Sequence, residues 1–262
     1  MIRKPKLHEL AVGDLGVDPQ AQRDYKDKDA QKIADNYDPE KLGVFKVSRR
    51  TTEGGQFIAD FVIDGQHRRG ALRKLGRGHE KVPCLVYTGL TLEEEALIFL
   101  SDNADNRTPT PIDIYRLSLV AQEPTLCAIQ GVLQAHGLSV ENHQGAHSVS
   151  AVGALRWLFD KGGSDLLDRT LTLVEAAWGQ GNRDARDGNL LKGVGKVLAD
   201  TTGARLDLVS LADKLSKEGK PGALIGTART HRLATKNSQW LQIALVIVGV
   251  YNKNRSSGRI EL

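Results

Sequence analysis

The chain opens with short apolar runs separated by turn residues and then changes to longer stretches with a helical repeat. Residues 7 to 18 read as a short strand and turn. Asp29 to Tyr37 fits a short helix with Ile33 and Ala34 on its apolar side. Val44 to Arg49 and Phe57 to Ile63 read as two arms of a hairpin, because Gly54 and Gly55 between them permit positive φ. Gly65 to Leu75 is expected to be helical, with Ala71, Leu72 and Leu75 on one side and Gly76 ending it. Val82 to Tyr87 is another apolar strand. Thr91 is an expected N-cap for a helix from Leu92 to Asn103, with Glu94 placed as in a capping box.

Beyond Arg107 the pattern changes. Thr108-Pro109-Thr110-Pro111 cannot continue a helix and marks a joint. The expected helices beyond it are Ile112 to Gln122, Pro124 to His136, Val149 to Lys161, Ser164 to Trp178, Asn189 to Thr201, Leu206 to Lys217 and Ser238 to Tyr251. This predicts an α+β fold class: an α+β domain over residues 1–108 and a helical domain over 109–262, which would serve DNA binding or self-association.

Composition narrows the classes. At 262 residues and 40% hydrophobic content the chain can bury a substantial core. Its formal net charge is only +4, but from Gly219 to Leu262 seven basic residues face the single acid Glu261. A basic end on a near-neutral body points to a polyanion partner or to a solvated basic surface. Cys84 and Cys127 are isolated and expected to be buried small hydrophobes. The basic start Met1 to Lys6 has no apolar run of the signal-peptide kind, and Trp240 to Tyr251 falls short of the roughly twenty residues a membrane span needs. The expectation is a soluble, cytoplasmic protein with no membrane partner.

The segment richest in chemistry is Asp64-Gly65-Gln66-His67-Arg68-Arg69-Gly70-Ala71, where a strand passes into a helix. The first turn of a helix presents unpaired N–H groups and the positive end of the macrodipole, and both attract phosphate. Gly65 lets the backbone approach a ligand. Arg68 can offer a charge-assisted fork, with His67 and Arg69 as further donors. The same spacing also fits a surface helix with solvated arginines.

These residues resemble the Gly-x-x-Arg box of the ParB/sulfiredoxin-like superfamily. Asp18-Pro19-Gln20-Ala21-Gln22-Arg23 is similar to the Asn-Pro-x-x-x-Arg segment that opens those domains. Asp102-Asn103, before Pro111-Ile112, resembles the Glu-Asn pair that precedes Pro-Ile there. The resemblance covers roughly 100 of the 262 residues; the helical remainder is more loosely similar to ParB-like proteins of phages and mobile elements. It implies a nucleotide site formed by Arg23, Gly65, Gln66, His67, Arg68 and Arg69. It also implies Mg²⁺, held by Asp102 and Asn103 against the phosphates of a nucleoside triphosphate, CTP or ATP. Sulfiredoxin chemistry needs a cysteine where this chain has Gln66. ParB proteins have Gly-Glu-Arg-Arg, so Gln66 and His67 are substitutions. Gly43-Val44-Phe45-Lys46-Val47 is a reduced form of the family's Gly-Val-x-x-Pro stretch, and the arginine of the Glu-Asn-x-x-Arg box falls on Asn106, with Arg107 beside it. Phosphate binding is implied more directly than cytosine specificity.

The resulting expectation is a nucleotide-binding, DNA-associated protein of ParB type. Its rivals are a metal-dependent nuclease, recruiting Asp60, Asp64, Asp102 or Asp105, and an NTPase or small-molecule kinase on the same fold. Arg229, Arg232 and Lys236 fall at i, i+3 and i+7 and are expected to share one helical face that follows a DNA backbone. His143 and His147 read as polar loop residues, and Trp157, Phe159 and Trp178 as core rather than base-stacking platforms. Trp240 to Tyr251, apolar all round, suits a buried helix or the interface of a homo-oligomer.

Overall fold

The computed structural model describes residues 4–102, 110–143, 145–201 and 206–262, apart from the side chain of Ala234. The chain divides into two compact units, Met1–Glu123 and Pro124–Leu262. The first is built on a β-sheet and the second is helical, so the mixed architecture expected from the pattern is present.

In the first unit, strands β1 (Lys6–Ala11), β2 (Leu15–Gly16), β3 (Phe45–Thr51), β4 (Phe57–Asp64) and β5 (Lys81–Thr88) form one sheet in the order β1-β5-β3-β4-β2. β3 and β4 form the expected antiparallel hairpin, and its turn closes with the Thr52 N–H donating to the Gln56 carbonyl at 2.8 Å. β3 and β5 run parallel. Both faces of the sheet are covered, because successive strand residues point to opposite sides. Val62 and Val86 enter a core with Phe45, Val47 and Leu72, the last from α2 (Gln66–Lys74). Their neighbours Ile63 and Tyr87 enter another, with Ala96 and Phe99 from α3 (Leu92–Asp102) and Leu117 from α4 (Pro111–Val120). α1 (Asp27–Asp35) packs on α2.

The helix starts follow capping chemistry. Thr91 and Glu94 exchange the expected hydrogen bonds at the head of α3. Thr110 and Asp113 make a second capping box at the head of α4, with Pro111 in the first turn. α4 carries Leu117 into the core with Ile63 and Phe99, and Arg116 to Asp24 at 2.9 Å, so this unit extends past the expected joint to Glu123. The joint residues Thr108 and Pro109 lie outside the described residues.

A partly buried ion network fixes the segment between β2 and α1. Arg50 on β3 bonds both oxygens of Glu95, which is only 1% exposed, and Asp18 at 2.7 Å, while its guanidinium lies 4.2 Å from the Phe61 ring centre. Burial alone would raise the Asp18 pKa. The Gln20 amide and Arg50 outweigh it and hold the carboxyl below its ordinary value. Cys84 is buried, and desolvation pushes its thiol up to about 11. Cys127, expected to be buried, is exposed: it sits on the outer side of α5 (Pro124–Ala135), whose inward positions are Leu126, Ile129 and Leu133.

In the second unit, the short strands β6 (Ser139–Val140) and β7 (Ser148–Val149) pair in parallel. The helices that follow are α6 (Val152–Trp178), α7 (Gly188–Asp200), α8 (Leu208–Lys217), α9 (Pro221–Ala234) and α10 (Gln239–Asn252). α6 breaks at Gly162 and Gly163, where the pattern separates two helices; Gly163 has φ 63°. α7 is central because it carries glycine where neighbours press closest. A Cβ on Gly193 would stand 2.5 Å from Ile243, and one on Gly195 would stand 2.0 Å from Leu158. Arg186, 2% exposed, donates to the carbonyls of Gly145, Ala146, Ser148 and Gln180 and so braces the connections around β7. Trp157, expected in the core, is half-buried and packs on Trp240 with ring centres 5.3 Å apart. α10 buries Ile243, Ala244, Ile247 and Tyr251, but Leu245 is 43% exposed, so the apolar segment is not enclosed all round. No helix among the described residues is long and apolar enough to cross a membrane.

His136, at the end of α5, is held between Glu175 at 2.9 Å and Asp168 at 3.1 Å on α6. Burial disfavours the imidazolium, but the two carboxylates outweigh it and raise its pKa above the ordinary 6.5. A raised folded-state pKa contributes stability that is full below the unfolded value and is lost as pH rises through the folded value. Thermal melting is therefore expected to show stability falling as pH rises above the ordinary histidine range. His136→Ala should melt lower at the acid end and lose that slope; a parent slope retained in the variant would refute this origin.

Candidate functional site

The junction of β4 and α2 is built around Gly65. Its φ of 110° and ψ of 10° lie in the left-handed region, where only glycine is at ease. There is no room for a side chain either: a Cβ would sit 2.7 Å from Cδ1 of Phe45 and 3.1 Å from Nη2 of Arg68. The Arg69 N–H donates to the Gly65 carbonyl at 2.8 Å as the first bond of α2. The amides ahead of it belong to the first turn, where the helix itself supplies no acceptor.

A cavity of about 170 Å³ opens at this turn, lined by residues 64–68 with Gln22, Arg23, Ile33 and Phe99. Gln22 is 4% exposed; its amide donates to the carbonyls of Val62 and Ile63 and so faces its Oε1 the other way. Gln66, equally buried, donates to the Arg23 carbonyl at 2.9 Å. Among the described residues Oε1 of each glutamine and Nε of Arg23 have no hydrogen-bond partner. His67 accepts the Lys26 N–H on Nε2 at 3.1 Å and stacks on Tyr25 with ring centres 5.4 Å apart. Its Nδ1 lies 3.4 Å from Nη2 of Arg23.

Arg68 is engaged within the chain. It donates to Asp64 at 2.7 Å and to the carbonyls of Leu42 and Val44, and its guanidinium lies 4.7 Å from the Phe45 ring centre. The Asp64 carboxylate thus occupies the side of Arg68 that an incoming anion would use. Arg69, expected at the same site, lines a separate cavity with Tyr25 and Arg73. Helix geometry separates them, since adjacent residues point about 100° apart. Gly65, Gln66, His67, Arg68 and Arg23 are brought together; Arg69 is not.

Asp102, near the end of α3, takes an ion pair from Lys46 through one oxygen, and its Oδ2 is buried with no partner among the described residues. Asn103 lies outside the described residues, as do Asp105, Asn106 and Arg107. Asp60 is bound by Arg49 through both oxygens, at 2.8 and 2.7 Å, and Asp64 by Arg68. These carboxylates are each claimed by an arginine, and no cluster of three metal-binding side chains occurs among the described residues.

In the second unit Arg229 and Arg232 are exposed on α9. The helix ends at Ala234 and Thr235 is extended, with φ −132° and ψ 153°, so Lys236 does not continue the helical face expected of it. The roles of Gln22 and Lys46 were not legible in sequence: Gln22 is an unspecified position within the Asp18–Arg23 segment, and Lys46 meets Asp102 only through the sheet.

A family model described as "Family of unknown function (DUF6551)" matches residues 19–254. No curated protein matches the chain. The chain is similar to a solved structure described as the C2221 form of a Pnob8-like ParB-N domain, at 12% identity and a TM-score of 0.39, covering 94% of this chain and 100% of that one.

The left-handed turn can be tested by Gly65→Ala. Backbone strain together with the contact on Phe45 should lower stability by about 1–3 kcal/mol in denaturant unfolding. An alanine variant as stable as the parent would mean that the turn tolerates a side chain.

Proposed function

The chain belongs to a family of unknown function (DUF6551), and we propose that it is a ParB-like protein that binds a nucleoside triphosphate and associates with DNA. The observation that carries the reading is the cavity at the start of α2. There Arg23, Arg68 and the helix amides surround a space in which Asp64 is the one carboxylate among the described lining residues. Phosphate oxygens are the acceptors such a donor set takes.

Binding proceeds by exchange. Asp64 neutralises Arg68 while the site is empty of ligand. A phosphate group takes its place on the guanidinium, and Arg23 holds a further oxygen. Gly65 lets the phosphate approach the backbone. Mg²⁺ fits the buried Oδ2 of Asp102, an oxygen donor of the hard class that this cation prefers. Bound there, it would neutralise phosphate charge. Because Asp60 and Asp64 are each tied to an arginine rather than gathered at one point, binding is favoured over metal-dependent DNA cleavage.

Calorimetry with Mg²⁺-nucleotides tests the site. Arg68→Ala should lose about 1.5–3 kcal/mol of nucleotide binding. Asp64→Asn, which removes the competing carboxylate, should bind more tightly than the parent. Asp102→Ala should abolish the weakening that a chelator causes. Equal affinities in the parent and in Arg68→Ala would reject the placement. Robust plasmid cutting lost in Asp64→Asn would favour the nuclease instead.

DNA association is assigned to the exposed arginines of α9. Affinity from phosphate contacts falls with salt at about −0.9 in log–log slope per duplex phosphate neutralised. Replacing Arg229 and Arg232 together by Ala should weaken binding to specific and random duplexes alike and flatten the slope by about two units at most. Adding Lys236→Ala should have an independent effect, because it lies beyond the helix. Salt-titrated anisotropy measures all of these, and a slope unchanged in the double variant would remove α9 from the interface.

A further inference from the structure

Arg69 and Arg73 stand one helical turn apart on the flank of α2, away from its start. With Val17, Tyr25, Gln66 and Lys74 they line a cavity of about 450 Å³. The charge in this recess is not balanced from within. Its acid, Asp27, is taken by Lys74 at 2.8 Å. No carboxylate pairs with Arg69 or Arg73 among the described residues, and Nε of Arg69 is buried without a hydrogen-bond partner. Burial, and then the like charge of Arg73, push the Arg69 guanidinium below its ordinary pKa. Holding the half-buried Arg69 guanidinium beside the like charge of the exposed Arg73 is unfavourable until an anion joins them.

The recess is also shaped for entry. At Gly70 a Cβ would fall 2.4 Å from the Tyr25 hydroxyl oxygen, so the glycine keeps the ring close against the helix. Gln66, 4% exposed, adds an unpartnered Oε1 that could accept from a hydroxyl of the ligand. We propose that this flank of α2 is a second phosphate-binding site, in which Arg69 and Arg73 close on a phosphate monoester or diester beside Tyr25. Two guanidinium forks suit the several oxygens of such a group, where a lone carboxylate would leave donors unused. The placement does not depend on the reading at the start of α2, because Arg68 and Arg23 do not line this recess.

The test is arginine side-chain NMR on the full chain, with the Arg69 Nε–H resonance assigned by Arg69→Lys. Inorganic phosphate should move that resonance saturably. Replacing Arg69 and Arg73 together by Gln should weaken the affinity for phosphate read from the neighbouring Lys74 and Tyr25 signals on the order of ten-fold or more. Arg68→Ala should leave it within about two-fold. A response to a duplex oligonucleotide as well identifies a backbone diester as the source; a response to phosphate alone identifies a free monoester. An Arg69 signal that moves with neither probe, or a phosphate response abolished by Arg68→Ala, would overturn the second site. Failure of the helix-start reading would show separately, as unchanged nucleotide affinity in Arg68→Ala.

Discussion

The first unit depends on one backbone constraint, the left-handed turn at Gly65. β4 must end and α2 must begin within a single residue, with the Phe45 ring packed directly beneath. Any Cβ would strike that ring. The turn therefore sets both the direction of α2 and the position of its first amides. Arg68 then reaches back over Phe45 to Asp64 and the Leu42 and Val44 carbonyls, so the helix start, the strand end and the loop before β3 form one assembly.

A second assembly brings Arg23 to that point. Arg50 joins Asp18 to Glu95, and Gln22 is pinned to the carbonyls of Val62 and Ile63. The segment carrying Gln22 and Arg23 is thereby tied to the sheet and to α3. The arginines of this unit fall into two groups. Among the described residues, Arg49, Arg50, Arg68, Arg77 and Arg116 each meet a carboxylate and hold structure together. Arg23, Arg69 and Arg73 line cavities without an acid of their own, and it is there that an external anion has most to neutralise.

The second unit solves its packing differently. Small residues on α7 let α6 and α10 approach closely, and a single buried arginine, Arg186, satisfies otherwise open carbonyls around β7. Arg186 is neutralised by dipoles rather than by a carboxylate, and burial lowers its pKa despite the nearby charge of Glu175. Such a residue braces irregular backbone that the short strands β6 and β7 could not stabilise alone.

Much of the order of strands and helices was legible in the sequence, because it rests on local signals: the hairpin of β3 and β4, the Thr91–Glu94 box, and the paired glycines at 162 and 163 that break α6; β6, β7 and α9 were not among the expected elements. The turn at Gly65 and the helix start after it were legible for the same reason, since a glycine followed by basic residues at a helix start is a local pattern. What the sequence could not assign was the partner of each charge. Asp64 on Arg68 is local, but Lys46 on Asp102, Arg50 on Glu95 and Gln22 on Val62 are contacts between distant positions. The separation of Arg69 from Arg68 is implicit in helix geometry, yet the recess that receives Arg69 exists only once Tyr25 has packed against Gly70. Likewise Lys236 keeps the helical spacing of Arg229 and Arg232 but loses their face, because the chain turns extended at Thr235. Local patterning determined most of the elements and placed basic residues at the start of α2; tertiary packing decided which charges pair within the chain, because those partners lie far apart in sequence.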